Sequence, residues 1–191
     1  KEYRRQRQMC IRDRFLTADE CSSWTVSRGY PAGDTAFRSP QGCAPGPHFR
    51  FRLPRDSGGR IALARSLMGS VAADGEMLVW LGSWDVWPSC QHMPLMTSLR
   101  IAFGEHRHLI DAPAFVAGPE NADDALSFVA LAILFTWDCS VFGRREMFSV
   151  SHDEWGWYGS AVTERCDLAR QAVSQIVGDG KVDPLDAMGS R

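Results

Sequence analysis

Apolar and polar residues alternate along the chain in patterns that predict four short strands. Residues 48–53, HFRFRL, place two Phe and a Leu on one side of an extended segment and two Arg on the other, which is typical of a strand with one buried face. Residues 76–82, EMLVWLG, form an apolar run suited to an interior strand. Residues 137–142 and 146–152 predict two further strands around a tight turn at residues 143–145.

Apolar side chains at helical spacing predict five helices between and around these strands. Thr17 and Glu20 form a capping box at the start of the first helix, and Gly29 and Gly104 end the first and third helices. Asp123 and Asp124 stand at the start of another helix, where negative charge is favoured. The predicted helices cover residues 17–28, 61–71, 95–103, 121–135 and 162–177.

The predicted order of elements is helix, strand, helix, strand, helix, helix, strand, strand, helix, without an internal repeat or a glycine-rich phosphate loop. This order predicts the α+β class, with a small mixed or antiparallel sheet packed with about five helices. We expect a single domain over residues 15–178 and a flexible tail over residues 179–191.

Length and composition fit a soluble domain. The chain has 191 residues, 45% of them hydrophobic, which is enough for one full core. Its longest apolar run, residues 125–137, is well short of the ~20 residues that a membrane-spanning helix needs, so no membrane association is expected. The six cysteines include no CxxC pair, which favours reduced and mostly buried thiols. We expect a cytoplasmic protein.

The N-terminal residues differ from the rest of the chain in charge. Residues 1–13 resemble a translated transposase-type sequencing adaptor, because RRQRQMCIRD is the translation of CGT CGG CAG CGT CAG ATG TGT ATA AGA GAC. We therefore expect residues 1–14 to be an adaptor-derived artefact. Without them, the chain has 15 basic and 21 acidic residues, a net charge of −6. An acidic domain argues against nucleic-acid binding, because phosphates need cations to neutralise them.

Residues 15–160 resemble an uncharacterised group of small bacterial proteins of unknown function. The resemblance lies in the segments FLTADEC, MLVWLGSWDVWPSCQHMPL, WDC and SHDEWGWYGS. It implies a compact bacterial domain and brings no known activity with it. We also expect the sequence to be of metagenomic origin. In style the chain is also similar to the small acidic proteins that neutralise toxins as immunity factors.

The distribution of charge leads to the first functional hypothesis, a non-enzymatic, immunity-type interaction protein. Two long segments lack Lys and Arg, one between Arg65 and Arg100 and one between Arg107 and Arg144. If these segments meet in the fold, they form an acidic surface with tryptophans as anchors, which would attract a basic protein partner. An ordinary solvated acidic surface explains the same pattern. The candidate binding residues are Trp84, Asp85, Trp87, Asp138, Glu154, Trp155 and Trp157.

The second hypothesis is a small hydrolytic enzyme. Residues 84–92 and 152–158 are predicted loops after strands, rich in polar and aromatic residues, and they could form one pocket. The histidine spacing matches no established ligand motif, so we predict no metal and no cofactor. In the competing interpretation, these polar residues cap helices and turns and Cys139 is a core residue. The candidate catalytic residues are His92, His152, Asp153 and Cys90, with Asp138 as the alternative to Cys90.

Overall fold

The structure is a computed structural model that describes residues 15–30, 46–73, 75–81 and 94–183. In these ranges, five α-helices and two short 3-10 helices surround one seven-stranded sheet, which confirms the predicted α+β class. The strands are β1 (Phe15–Leu16), β2 (His48–Arg52), β3 (Met77–Trp80), β4 (Ala114–Ala117), β5 (Cys139–Phe142), β6 (Glu146–Val150) and β7 (Trp155–Ser160). The helices are α1 (Ala18–Ser27), α2 (Ser57–Ala72), α3 (Pro94–Ala102), α4 (Ala122–Leu134) and α5 (Thr163–Val177).

All paired strands of the sheet are antiparallel. Their order is β1-β4-β3-β5-β6-β7-β2, so β5, β6 and β7 form a meander and β2 lies at one edge. All four residues of β3 are buried, because elements pack on both faces of the sheet at its centre. The sheet is antiparallel throughout and larger than the small sheet that the sequence predicts.

Three strands of the sheet are absent from the sequence prediction. β1 has two residues, β4 lies between the predicted helices 95–103 and 121–135, and β7 lies in the predicted loop 152–158. The loop prediction is wrong from Trp155 onwards, because β6 and β2 pair with this segment from both sides. Neighbouring strands supply hydrogen-bond partners for short or glycine-containing segments, and the segment's own sequence does not contain that information.

Helices α2, α4 and α5 cover one face of the sheet, which we call the helix face. Phe51, Phe148 and Tyr158 point to this face and are at most 1% exposed. Phe128 of α4 packs against Phe115 of β4 with ring centroids 4.8 Å apart. Burial of these aromatic side chains between helices and sheet forms the larger of two hydrophobic cores. In the described part of the chain, no helix is long and apolar enough to cross a membrane.

Helix α1 packs on the opposite face, which we call the second face. Its Cys21 joins Tyr30, Trp80 and Phe142 in a smaller core. The predicted capping box at the start of α1 is present, and Thr17 accepts the Glu20 backbone N–H. This helix therefore covers the side of the second face where β1, β4, β3 and β5 lie.

Four helices are followed by a residue of positive φ, and Gly178, at φ 91°, follows α5. Gly29 and Gly104 have φ of 82° and 84° and end α1 and α3 as predicted. Helix α4 ends in the same way with Thr136 in the glycine position, at φ 53°. The Trp137 N–H donates to the Ala132 carbonyl at 2.9 Å, which is the long hydrogen bond of a Schellman motif.

The chain stays in contact with the sheet after α5. Val182 forms a bridge with Phe51, and the Asp183 N–H donates to the Arg50 carbonyl at 2.8 Å. Residues 179–183 thus cover part of the outer edge of β2, which would otherwise present unpaired backbone groups. Residues 184–191 of the predicted tail lie outside the described residues.

Candidate functional site

The turn between β6 and β7 carries three residues singled out from the sequence: His152, Asp153 and Glu154. It is closed by hydrogen bonds from the Ser151 N–H to the Trp155 carbonyl (2.8 Å) and from the Glu154 N–H to the Ser151 carbonyl (3.1 Å). Glu154 has a φ of 63°, in the left-handed region that residues with a Cβ rarely adopt. The turn therefore has a defined backbone, and it presents its side chains at the end of the sheet where β6 and β7 are connected.

The structure brings His152 into contact with Asp138. Asp138 Oδ2 lies 3.1 Å from His152 Nδ1, and Asp138 Oδ1 accepts the His152 backbone N–H at 2.8 Å. On the other side of the ring, His152 Nε2 is 3.6 Å from Asp153 Oδ1. An aspartate at Nδ1 can orient an imidazole as a general base, and the same contact can simply close a turn.

The contact between Asp138 and His152 follows from the hairpin of β5 and β6. Cys139 pairs with Val150, so Asp138 and the residues after Val150 lie next to each other just outside the last pair. The sequence signal was available, because the tight turn predicted at residues 143–145 sets this register.

Arg60 of α2 lies at the same end of the sheet. It is buried, and the sequence did not indicate it as a site residue. Its guanidinium donates to the Pro54 carbonyl at 2.8 Å and to the Ile133 and Leu134 carbonyls at 3.2 and 3.1 Å. It also pairs with Glu154 at 3.0 Å. Arg60 thus satisfies the last carbonyls of α4, where the helix dipole favours positive charge, and it holds the carboxylate of Glu154.

Trp155 and Trp157 lie on the second face, next to two arginines of the edge strand β2. The register places Arg52 opposite Trp155 and Arg50 opposite Trp157. The central guanidinium carbons of Arg50 and Arg52 lie 4.2 and 4.0 Å from the centre of the Trp155 ring, within the range of cation–π attraction. Both tryptophans are partly exposed, and we call these four residues the Trp–Arg surface.

The sequence predicts the orientation of these two arginines but not the residues that they contact. The alternation in HFRFRL predicts that Arg50 and Arg52 point away from the core. Their position beside tryptophans depends on the pairing of β2 with β7, two strands separated by about half of the chain. No local pattern encodes that pairing.

Several predicted site residues lie outside the described residues. They are Trp84, Asp85, Trp87, Cys90 and His92. The meeting of residues 84–92 with residues 152–158 in one pocket stays a prediction.

The acidic residues that we expected on one surface lie at opposite ends of α4. Asp123 and Asp124 begin this helix, whereas Asp138 follows its end. A helix of 13 residues is about 20 Å long at ~1.5 Å per residue. At the end near Trp155, Asp153 has 75% of its side chain accessible and Glu154 has 48%. The described acids thus form no continuous surface along α4.

The three described cysteines do not provide a reactive thiol. Cys139 is a core residue, and burial followed by the charge of Asp138 raises the pKa of its thiol far above the usual value. Burial also raises the pKa of Cys21 to about 12 and that of Cys166 to about 11. A nucleophilic cysteine requires the thiolate, which these environments disfavour.

Comparison with known proteins provides no further assignment. No protein-family model, curated protein or solved structure matches the chain. Within the described ranges, no group of three or more His, Cys, Asp or Glu residues could hold a metal ion. The geometry of the β6–β7 turn and of the Trp–Arg surface is therefore the basis for a functional proposal.

Proposed function

We propose that this chain is a non-enzymatic, immunity-type protein that binds a partner protein through the Trp–Arg surface. The observation that carries the proposal is the partly exposed pair Trp155 and Trp157, side by side on one face of β7. Tryptophan and arginine are the side chains that most often dominate the binding energy of protein interfaces. Their combination on one surface therefore favours a binding role.

Three of the four side chains of this surface contact one another without a partner. Arg50 and Arg52 both lie against the ring of Trp155, and Arg50 is held in turn by Asp183 at 2.6 Å. Side chains that are already fixed lose little conformational entropy on binding. The pairing of β2 with β7 holds the backbones of these four residues next to each other.

The charge of the domain supports a basic partner. Without residues 1–14 the net charge is −6, and a field of this sign accelerates association with a cationic protein. Asp153 precedes Trp155 by two residues and is exposed, so it is available to a Lys or Arg of the partner. The nearby acids Asp138 and Glu154 contact His152 and Arg60.

The partner can be sought among the products of genes adjacent to the intact gene. We expect one neighbouring product to be toxic when expressed alone, to co-purify with this chain and to lose its toxicity in its presence. Trp157→Ala should weaken the complex about 30-fold, since loss of a central interface Trp costs ~2 kcal/mol. Leu168→Ala is the matched control, because it removes a 64% exposed apolar side chain from α5. Equal effects of the two variants, or no binding neighbour, would contradict the proposal.

Two charge reversals test the sign of the partner. For a basic partner, Asp153→Lys slows association and Arg52→Glu accelerates it, and both effects shrink at high salt. Arg65→Glu, on an exposed position of α2, controls for net charge alone. Association rates are measured at two salt concentrations, and the opposite signs would mean that the partner's contact surface is acidic.

A second candidate function rests on the contact between Asp138 and His152. Asp138 is hydrogen-bonded to Nδ1, the arrangement that orients a histidine to act through Nε2 as a general base in hydrolysis. Asp153, 3.6 Å from Nε2, would then border the place of the substrate.

This second function can be tested without knowledge of the natural substrate. Chromogenic acetate and phosphate esters are suitable probes of hydrolysis. A hydrolase would lose at least ~100-fold in rate in His152→Gln and would keep its rate in His106→Gln, another exposed histidine. Equal rates in these two variants, or no turnover above background, would exclude His152 as a general base for these esters.

A further inference from the structure

Residues 179–183 return from the end of α5 to the outer edge of β2, and we call them the strap. Gly178 begins this return with φ 91° and ψ 142°, a conformation that residues with a Cβ rarely adopt. Val182 packs against the larger core and forms a bridge with Phe51. The strap therefore reaches β2 directly beside the Trp–Arg surface.

Asp183 joins the strap to Arg50 in two ways. Its backbone N–H donates to the Arg50 carbonyl at 2.8 Å, and its Oδ2 accepts from Arg50 Nε at 2.6 Å. The central carbon of the same guanidinium lies 4.2 Å from the centre of the Trp155 ring. Arg50 is thus held between a carboxylate of the strap and a ring of the Trp–Arg surface.

Arg52 contacts the same ring without such a carboxylate. Its central guanidinium carbon lies 4.0 Å from the centre of the Trp155 ring, and no carboxylate of the described residues pairs with it. Within the described ranges, only Arg50 of these two arginines therefore has its charge offset. Departure of the strap from β2 would leave two cations beside Trp155 in place of one.

The contacts that hold the strap are partly open to solvent. The side chains of Arg50 and Asp183 are 45% and 43% exposed, and exposed ion pairs add little stability. Val182 is only partly buried. Segments held by exposed hydrogen bonds and few apolar contacts open locally while the domain stays folded. The strap thus has a docked and an undocked state, which differ in the charge beside Trp155.

We propose that the strap regulates the Trp–Arg surface, with Asp183 as a positioning residue that holds Arg50 on Trp155 and offsets its charge. This regulation rests on the proposed binding of a basic partner at the same surface. An unpaired Arg50 repels a cationic partner, so the partner binds the docked state more tightly. By linkage, a bound partner in turn holds the strap on β2.

NMR spectra of the full chain without a partner test the positioning role. Asp183→Asn keeps the backbone N–H and removes the charge, so the upfield shift that the Trp155 ring current gives to the Arg50 side-chain protons should shrink. The protection of the residue-183 amide against solvent exchange should fall about fivefold, as expected for loss of an exposed ion pair. The Arg52 side chain, on the same ring, should keep its shift.

Two controls accompany this variant. Asp183→Glu keeps the charge and should restore most of the Arg50 shift. The Leu53 N–H, which donates to the Glu154 carbonyl at 2.9 Å on the β7 side of β2, should keep its protection in both variants. Equal changes for the two arginines, or an unchanged Arg50, would contradict the positioning role.

The charge that the surface presents is measured with a cationic and an anionic nitroxide, two small paramagnetic probes. The ratio of their relaxation effects on the Trp157 ring protons reports the local potential. Asp183→Asn should lower the cationic-to-anionic ratio about threefold, because it removes one negative charge close to the ring. Asp123→Asn, which removes an exposed charge at the start of α4, should change it much less.

These outcomes separate the strap from the binding function itself. Equal probe ratios in the two variants would overturn the regulation and leave the binding proposal standing. Absence of a binding neighbour would contradict the binding function, with the effects of Asp183→Asn on Arg50 still present. In the complex with the captured neighbouring product, association should be about threefold slower for Asp183→Asn than for Asp123→Asn, and equal rates would contradict the regulation.

Discussion

The two faces of the sheet are built from the same strands and differ in what covers them. On β6 and β7 the helix face receives Phe148 and Tyr158, which are buried under helices. The alternate residues Ser149 and Trp157 point to the second face, where α1 is the only described helix and packs nearer to the other edge. Side chains under the helices are constrained by close packing, whereas those on the second face can vary with function. Stability should therefore depend on the helix face, and binding should depend on the second face.

The largest contrast is expected between two neighbouring aromatic residues. Phe148→Ala should reduce the free energy of unfolding by about 3–5 kcal/mol, because it leaves a cavity under the helices. Trp157→Ala should cost about 1 kcal/mol, since its side chain is partly exposed. Urea unfolding at neutral pH measures both, and similar losses would show that the two faces contribute equally to stability.

Arg60 tests how far the helix face depends on a polar contact. Arg60→Met keeps much of the apolar volume and removes the donors to the Pro54, Ile133 and Leu134 carbonyls. We expect a loss of about 3 kcal/mol in urea unfolding, because buried carbonyls lose their partners. Glu154→Gln, which weakens a pair with a partly exposed carboxylate, should cost less than ~1 kcal/mol. Equal costs would mean that the ion pair, not the carbonyl contacts, is the important interaction.

Gly156 on β7 tests how closely the helix face is packed. Gly156 lies between the two tryptophans, and a Cβ added there would overlap the ring of Phe51. Gly156→Ala should therefore destabilise by about 1–3 kcal/mol. Gly69→Ala has no atom within 4 Å of the added carbon and lies within α2, so it should stabilise by about 0.5–1 kcal/mol. Thermal unfolding compares them, and a stable Gly156→Ala would show that the helix face tolerates overpacking.

An acid titration addresses β1, the edge strand that leads into α1 on the second face. Burial alone would raise the pKa of Glu105, but hydrogen bonds and charge from Arg107 lower it below its usual value. A lowered pKa in the folded state contributes stability above the unfolded pKa of about 4.3, and this contribution is lost as pH falls through the folded value. Arg107 also donates to the Phe15 carbonyl at 3.1 Å.

Glu105→Gln should cost about 1 kcal/mol at pH 7 and less near pH 3, since Arg107 is partly solvated. Urea unfolding at a series of pH values measures this. An unchanged cost from pH 7 to pH 3 would contradict the role of the ionised carboxylate.

Thr136 tests whether the strain next to the candidate site is dispensable. Thr136→Gly should stabilise the protein by about 0.5–1 kcal/mol, because glycine adopts the left-handed conformation without a steric cost. Thr136→Ala retains the Cβ and should not stabilise. Melting temperatures measure both, and a destabilised Thr136→Gly would show that the threonine side chain contributes more than its strain costs.

Much of the site could be predicted only in part. The sequence placed Asp138 and His152 near two ends of a tight hairpin, and their contact follows from that register. Nothing in the sequence indicated that Arg60 is buried, because a charged residue on a helix is ordinarily expected to be exposed to solvent. Thr136 was missed for a similar reason, since glycine is the residue expected at a left-handed helix end. The burial of Arg60 depends on the end of α4 meeting the start of α2.

The sequence by itself determined the features that depend on neighbouring residues. They include all five helices, the capping box at Thr17, the helix ends at Gly29 and Gly104, and the strands β2, β3, β5 and β6. Hydrophobic period and backbone preference act over a few residues, so they can be read locally. Only the tertiary structure decided that β1, β4 and β7 are strands, that Arg60 is buried and that Arg50 and Arg52 contact Trp155. Each of these requires a partner distant in sequence, whose burial or hydrogen bonds outweigh the local preference.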